Sequence, residues 1–415
     1  MSILEELGVN NTWQDFFAYK TEKSHLSKRE TAFLKNFIET EAYKAISENI
    51  LNKDFRFSVP EKRFLNKHGK AKKRIVYTFL EQENTVLKLI AFLLYRYDNA
   101  QPQNCYSFRR NYGAKKAIVT ITKEKDISNK FSCKIDIKDY FNKIDVELLL
   151  PILQNILSDD KPLFLFFENL LRADKAIFNG TIITEKRGAM AGTPISQFFA
   201  NIYLAEMDRF FLEAGVLYAR YSDDIIFFTD TREALDEHFK TIKTFLEKYH
   251  LKLNPDKVKL TEPGGKWDYL GVSFYNGSIG LSEVTLKKIK GKIRRKARSI
   301  YRWKIRKAAT NEKALAVFSR VINKKFFGQY CSNASSQYCS NASSRVEDNE
   351  FTWARWFFPL ITQDNDLKKI DAHVQEYMRY VSSGRFSKAN YRTRYSDLKE
   401  LGYRSLVNEY HRGKK

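Results

Sequence analysis

The sequence predicts an α+β fold built on a split β-α-β-β unit, with helical regions before and after it. Two features carry that expectation. Residues Phe131–Ile137 read as a strand by β-propensity, and helical stretches follow from about Val146 to Leu171. Two further β-rich runs, Val216–Tyr221 and Ile225–Thr229, then meet at Ser222-Asp223-Asp224, which is the order of a split β-α-β-β unit.

Around that unit the elements follow in order. Residues 1–54 read as helices with a mixed-charge surface. From Phe55 to Phe79, short β-like runs flank a turn at Asn66-Lys67-His68-Gly69, and Lys70, Lys72, Lys73 and Arg74 follow it, so this is a basic hairpin. Glu81–Tyr97 carries Val86, Leu87, Ile90, Leu93 and Leu94 at helical spacing. Thr193-Pro194 predicts a helix start, with Thr193 as cap and Pro194 in the first turn, before the apolar run Ile195–Phe211. Leu235–Tyr249 reads as a helix and Trp267–Phe274 as one strand containing Gly271. Residues 329–344 are an octapeptide repeated twice, too few copies for a solenoid and best placed in a tolerant loop. Residues 351–415 read as a helical C-terminal region whose aromatics suit a core.

Composition narrows the function. The chain has 415 residues, of which 43% are hydrophobic, enough for a sizeable core and against disorder or low complexity. Its 72 Lys and Arg outnumber 49 Asp and Glu, a formal charge of +23 that implies a polyanionic partner. Between Lys287 and Lys307 lie twelve Lys or Arg and no acid. A solvated helix face normally mixes signs, so this run is assigned to nucleic-acid backbone contact through Lys292, Arg294, Arg295, Arg298 and Arg302. No apolar run is long enough to span a bilayer, and Met1–Val9 lacks the basic start and apolar stretch of a secretory signal. Cys105, Cys133, Cys331 and Cys339 show no CxxC pairing, so reduced thiols in a cytoplasmic protein are expected.

The chemistry is expected at Asp223-Asp224. Ionised carboxylates beside buried strands are costly unless a cation repays their desolvation, and Asp136 ends the strand Lys134-Ile135-Asp136. If both elements share one sheet, the three carboxylates converge as hard oxygen ligands suited to two Mg²⁺ ions.

The ordered segments resemble the reverse transcriptase family over roughly residues 55–310. Asp136-Ile137-Lys138-Asp139-Tyr140-Phe141 is similar to its first catalytic motif, Gly188–Ser196 continuing to Asn201 to its second, and Tyr221-Ser222-Asp223-Asp224 to its Tyr-X-Asp-Asp signature. Leu253-Asn254-Pro255-Asp256-Lys257 and Tyr269-Leu270-Gly271 resemble the two motifs that follow. The resemblance implies a right-hand polymerase: fingers at 55–130, palm at 131–278 with interleaved fingers helices, a basic helical thumb at 279–328, a repeat-containing loop at 329–350 and the helical region 351–415.

It also implies roles. Asp136, Asp223 and Asp224 would be the metal-binding catalytic acids, and Lys257 would protonate the leaving pyrophosphate, with Lys259 as its rival. Phe141 would exclude a 2′-hydroxyl and so select deoxynucleotides. Lys72, Arg74 and Arg109 would clamp the triphosphate, and Gly192, Pro194 and Ser196 would lie against the nucleotide. The chain departs from the family pattern at Met190-Ala191, where Pro-Gln is usual before Gly192, and at Gln197, where a second proline is common. Loss of that Gln amide removes hydrogen bonds near nucleotide or template, which implies unusual fidelity, processivity or template choice.

No further acidic constellation at catalytic spacing follows residue 310, so no integrase, endonuclease or ribonuclease H segment is expected. The tail Leu401–Asn408 looks like that of defence-associated bacterial enzymes, and the Asn-Ala-X-X-His and Val-Thr-Gly elements of retron enzymes are not found. A structured non-coding RNA template, a DNA product or primer, deoxynucleoside triphosphates and a role in antiphage defence are implied. A retron or group II intron-like transcriptase and a non-catalytic RNA-binding scaffold are the competing readings. A homo-oligomer is left open.

Overall fold

The computed structural model describes residues 1–415 except 24–25, 53–56, 67–72, 329–351, 387–393 and 414–415. The predicted turn residues 67–69, Lys72 and the octapeptide repeat therefore lie outside the described residues. Two compact units are present, Met1–Pro263 and Gly264–Lys415.

The first unit opens with helices α1 (Ile3–Glu6), α2 (Asn10–Lys23), α3 (Lys28–Glu39) and α4 (Tyr43–Leu51). Ser2 with Glu5 and Ser27 with Glu30 form capping boxes that satisfy orphan N–H groups at the starts of α1 and α3. Strands β1 (Glu61–Asn66) and β2 (Lys73–Thr78) precede α5 (Glu81–Leu93) and α6 (Ala114–Thr122). Next come β3 (Phe131–Asp136), α7 (Tyr140–Lys143), α8 (Val146–Ile156), α9 (Lys161–Arg172), β4 (Lys175–Phe178) and β5 (Thr181–Thr184). The unit closes with α10 (Ser196–Tyr203), α11 (Ala205–Glu213), β6 (Leu217–Tyr221), β7 (Asp224–Thr229), α12 (Arg232–Lys248) and β8 (Lys259–Thr261).

Two sheets organise these elements. One is mixed, in the order β2-β1-β4-β5, with β1 and β4 parallel and its hairpins antiparallel. The other is antiparallel, in the order β6-β7-β3-β8. One face of its central strands is apolar and buried: Cys133, Ile135, Ile225 and Phe227, aligned by register, sit in the main core with Leu153, Phe199 and Leu246, while Ser132, Lys134 and Asp136 alternate onto the other face of β3.

Three sequence expectations change here. The predicted Thr193 cap does not form: Thr193 Oγ1 donates back to the Met190 carbonyl at 3.0 Å, and helix begins at Ser196. The apolar run after it breaks at Leu204 into α10 and α11, where the backbone leaves helical geometry. The β4–β5 hairpin, turned by Asn179-Gly180 with both φ positive, had no counterpart in the sequence reading.

The second unit begins with β9 (Trp267–Tyr269), β10 (Val272–Tyr275) and β11 (Ser278–Leu281), an antiparallel sheet in the order β11-β10-β9. The single strand expected over Trp267–Phe274 is thus a hairpin. Leu270 and Gly271, both at positive φ, turn it, and Asn276-Gly277 turns the next. Helices α13 (Glu283–Arg306), α14 (Asn311–Phe327), α15 (Trp353–Phe357), α16 (Asn365–Ser383), α17 (Tyr395–Glu400) and α18 (Leu406–Arg412) follow. In α13, Ile289, Ile293, Ala297 and Ile300 form one buried stripe, which leaves the cationic side chains on the remaining surface. Among the described residues, no helix is long and apolar enough to cross a membrane.

Candidate active site

The site is built by strand register. β3 pairs with β7 so that Asp136 stands directly opposite Asp224, and β6 pairs with β7 so that Tyr221 faces Asp224. Ser222 and Asp223 are therefore the whole of a two-residue hairpin loop. One more ladder bond, Ile137 N–H to the Asp223 carbonyl at 3.0 Å, ties the end of β3 to that loop.

The loop carries strain. Ser222 has φ +61°, a conformation that this position of a tight hairpin normally gives to glycine. It is held by buried polar groups: Ser222 N–H donates to Ser107 Oγ at 3.0 Å, and Ser107 Oγ donates to Asn201 Oδ1 at 2.6 Å. The Asn201 amide in turn donates to the Ser107 carbonyl at 2.6 Å and to Gln101 Oε1 at 2.7 Å. Asn201 falls inside the second motif noted in the sequence, but its partner Ser107 lies 94 residues away and the contact is invisible there.

Electrostatics at the hairpin tip favour a cation. Asp136 is only 6% exposed; its carboxylate accepts from Asn254 Nδ2 at 3.2 Å and pairs with the Lys257 ammonium. Burial raises Asp223 above the usual carboxylate range, and the Asp136 charge adds to this while Arg74 and Lys257 oppose it. Asp224 is raised likewise, first by burial; Lys134, 3.8 Å away, offsets part of that, and Asp223 and Asp136 add to it. Such mutually repelling carboxylates form a hard oxygen donor set that suits a divalent ion. Among the described residues no three acidic, His or Cys side chains close on one point, so register assembles the acids and Lys257 engages Asp136.

A second wall lies beside the acids. Gly188 sits so close to α7 that a Cβ there would lie 2.6 Å from the Phe141 carbonyl oxygen, and Ala189 N–H donates to that oxygen at 2.8 Å. Gly192, at φ +103°, leaves no room for a Cβ against Val76 of β2. Asn142 links both sides, accepting from Ala191 N–H at 3.1 Å and donating to the Ile75 carbonyl at 3.2 Å. Phe141 is half-buried against Tyr140, with ring centroids 5.8 Å apart. Pro194 is half-buried and Gly192 exposed.

Two sequence-predicted site residues are committed elsewhere. The Arg109 guanidinium is buried, with Nε and Nη2 on the Asp98 carboxylate at 2.9 and 3.0 Å and Nη1 on the carbonyls of Pro102 and Cys105 at 2.6 and 3.0 Å. It staples its own loop, which leaves it no donor for a triphosphate. Ser196 is also buried, and its hydroxyl donates to the Thr193 carbonyl at 2.7 Å, so it shapes the turn into α10.

Residues 59–274, just over half of the chain, match the reverse transcriptase (RNA-dependent DNA polymerase) family. The chain belongs to that family. A retron Ec83 reverse transcriptase from Escherichia coli is 29% identical over 164 residues, covering 36% of this chain and 50% of the relative. The Gag-Pro-Pol polyprotein of squirrel monkey retrovirus is 28% identical over 156 residues, covering 37% of this chain and 7% of the polyprotein. The chain thus spans half or less of the curated relatives it matches. Among solved structures, a Candida albicans telomerase in complex with a telomeric RNA fragment covers 91% of this chain and 71% of its own at 11% identity and a TM-score of 0.43. An apo telomerase from Candida tropicalis covers 55% of each chain at 16% identity and a TM-score of 0.41.

Within this chain, Lys257 stands on the Asp136 carboxylate, whereas its rival Lys259 lies in β8, paired in register with Lys134. Lys292, Arg294, Arg295, Arg298 and Arg302 are all exposed on α13.

Proposed function

We propose that the chain is an RNA-templated DNA polymerase that joins deoxynucleotides at a site formed by Asp136, Asp223 and Asp224. The cross-strand pairing of Asp136 with Asp224, beside the strained Ser222-Asp223 loop, carries this reading. The three carboxylates would hold two Mg²⁺ ions, which when bound lower the pKa of an attacking 3′-hydroxyl and neutralise a departing pyrophosphate. The chain's own groups do the rest. Lys257 holds a proton at the Asp136 edge, where a leaving group can take it. Arg74, whose charge is felt at Asp223, supplies a planar fork for phosphate oxygens, with Lys72 beside it in sequence. The Phe141 ring would pack under the nucleotide sugar, and the loop from Gly188 to Pro194 would lie against the nucleotide. The exposed cations of α13 neutralise the phosphates of template and product.

The template is proposed to be an associated structured non-coding RNA and the setting bacterial antiphage defence. Support comes from the +23 charge and the tail at 401–408, which is anchored where Tyr403 OH and Leu406 N–H donate to buried Asp371 at 2.7 and 2.9 Å. The likeness to a retron enzyme favours a second reading, a retron-type transcriptase. Sequencing the RNA and DNA that copurify with the chain separates the two.

Primer extension on an RNA template with Mg²⁺ and labelled deoxynucleotides tests the polymerase reading. The Asp223→Ala, Asp224→Ala double variant should lose synthesis and keep RNA binding. Equal synthesis by both proteins would remove the assigned site, and an inactive parent chain would leave the scaffold reading standing.

A further inference from the structure

A cavity of about 340 Å³ lies wholly within the second unit, apart from every residue assigned above except Lys292. Thr285, Lys288, Ile289 and Lys292 of α13 form one wall, a single helical face at spacings of three and four residues. Lys325 of α14 and Trp353, Trp356 and Phe357 of α15 complete it together with Thr352. The aromatic side is rigidly backed: Trp353 packs on Phe357 and Phe326 with centroids 4.8 and 5.7 Å apart, and Trp356 meets Phe357 edge-on.

Three ammonium groups around one small cavity repel one another, and no acid is among its described lining residues. Lys288 and Lys292, four apart on one helix, disfavour the helix unless an anion stands between them. The Lys325 amine is held below its usual value by burial and then by the Lys292 charge. An anion with a flat apolar body satisfies both walls at once, and a cavity near the small end of ligand pockets admits about one nucleotide.

We propose that this cavity binds one unpaired nucleotide of a single-stranded nucleic acid, its base against Trp356 and Trp353 and its phosphate on Lys288, Lys292 and Lys325. Duplex contact falls to other side chains, since Arg294 and Arg298 leave α13 on the side away from Thr285 and Ile289. The site goes beyond the polymerase reading and does not depend on it.

The test is fluorescence anisotropy on the full chain with labelled 15-nucleotide single-stranded RNA, the matching DNA and a blunt duplex. Trp356→Ala should weaken single-strand binding about tenfold, as loss of one stacking platform does, and leave the duplex Kd within about twofold. Trp356→Phe should keep most of the affinity, which separates stacking from damage to the fold. Lys325→Gln should lower the salt dependence for single strands only, by less than one counterion. A greater loss with RNA or with DNA identifies the sugar the site prefers. Unchanged single-strand affinity in Trp356→Ala, or equal losses on single strand and duplex, overturns the proposal. The Asp223→Ala, Asp224→Ala variant should bind like the parent, so failure of the polymerase reading and failure of this one remain distinct.

Discussion

The strands β6 and β7 serve two acidic sites with opposite electrostatic characters. Beneath the sheet, Asp208 is fully buried against Arg220, which donates through Nε at 2.8 and 3.1 Å and through Nη2, while Tyr218 OH donates at 2.9 Å. Burial works against the Arg220 charge, yet Asp208 holds it well above its ordinary range. Every strong partner is supplied from within. At the hairpin tip, Asp223 and Asp224 are raised, with burial and like charge outweighing Arg74, Lys134 and Lys257. A saturated acid is architecture, whereas an under-compensated one keeps capacity for a ligand.

Breaking the saturated site should have the largest effect. Asp208→Ala leaves the Arg220 guanidinium buried without its partner and should cost about 3–5 kcal/mol, read as a lower urea midpoint. A loss confined to activity would mean that this pair belongs to the chemistry after all. Next, Asp223→Asn should reduce primer extension by about a hundredfold or more while the fold persists. Its stability should move the other way. A raised carboxyl binds more protons folded than unfolded, so without divalent ions stability falls as pH rises from about 4 through the raised folded-state value. Asp223→Asn should flatten that slope in thermal melts, and Mg²⁺ should raise the parent's Tm more than the variant's. An unchanged slope would show that the tip is not under-compensated.

Smaller effects sharpen the comparison further. Ser107→Ala removes the acceptor that holds Ser222 at positive φ, so kcat should drop by about tenfold with little change in nucleotide KM. The reverse pattern would make Ser107 a binding residue. Phe141→Ala should admit ribonucleotides in competition assays, and an undiminished preference would place the sugar gate elsewhere.

The tip was legible in the sequence because two adjacent acids between apolar β-runs defy ordinary desolvation, and an order of motifs surrounded them. What the sequence hid was commitment. Arg109 and Ser196 carry the right chemistry, but only coordinates reveal that Asp98 and the Thr193 carbonyl have already taken it. The Thr193-Pro194 start failed because the chain must first turn away from β2, and the long apolar run concealed the break at Leu204. The β4–β5 hairpin had a readable signal in Asn179-Gly180, overlooked beside the stronger helical pattern before it.

The glycine at 188 has a bearing on how this site can change. Because its backbone rests on that of Phe141, the ring that would judge the sugar and the loop that would judge the base share one rigid hinge point. A shift of α7 cannot retune one discrimination while holding the other still. Variants that relax sugar choice by shifting α7, rather than by trimming the ring, should therefore alter misincorporation as well.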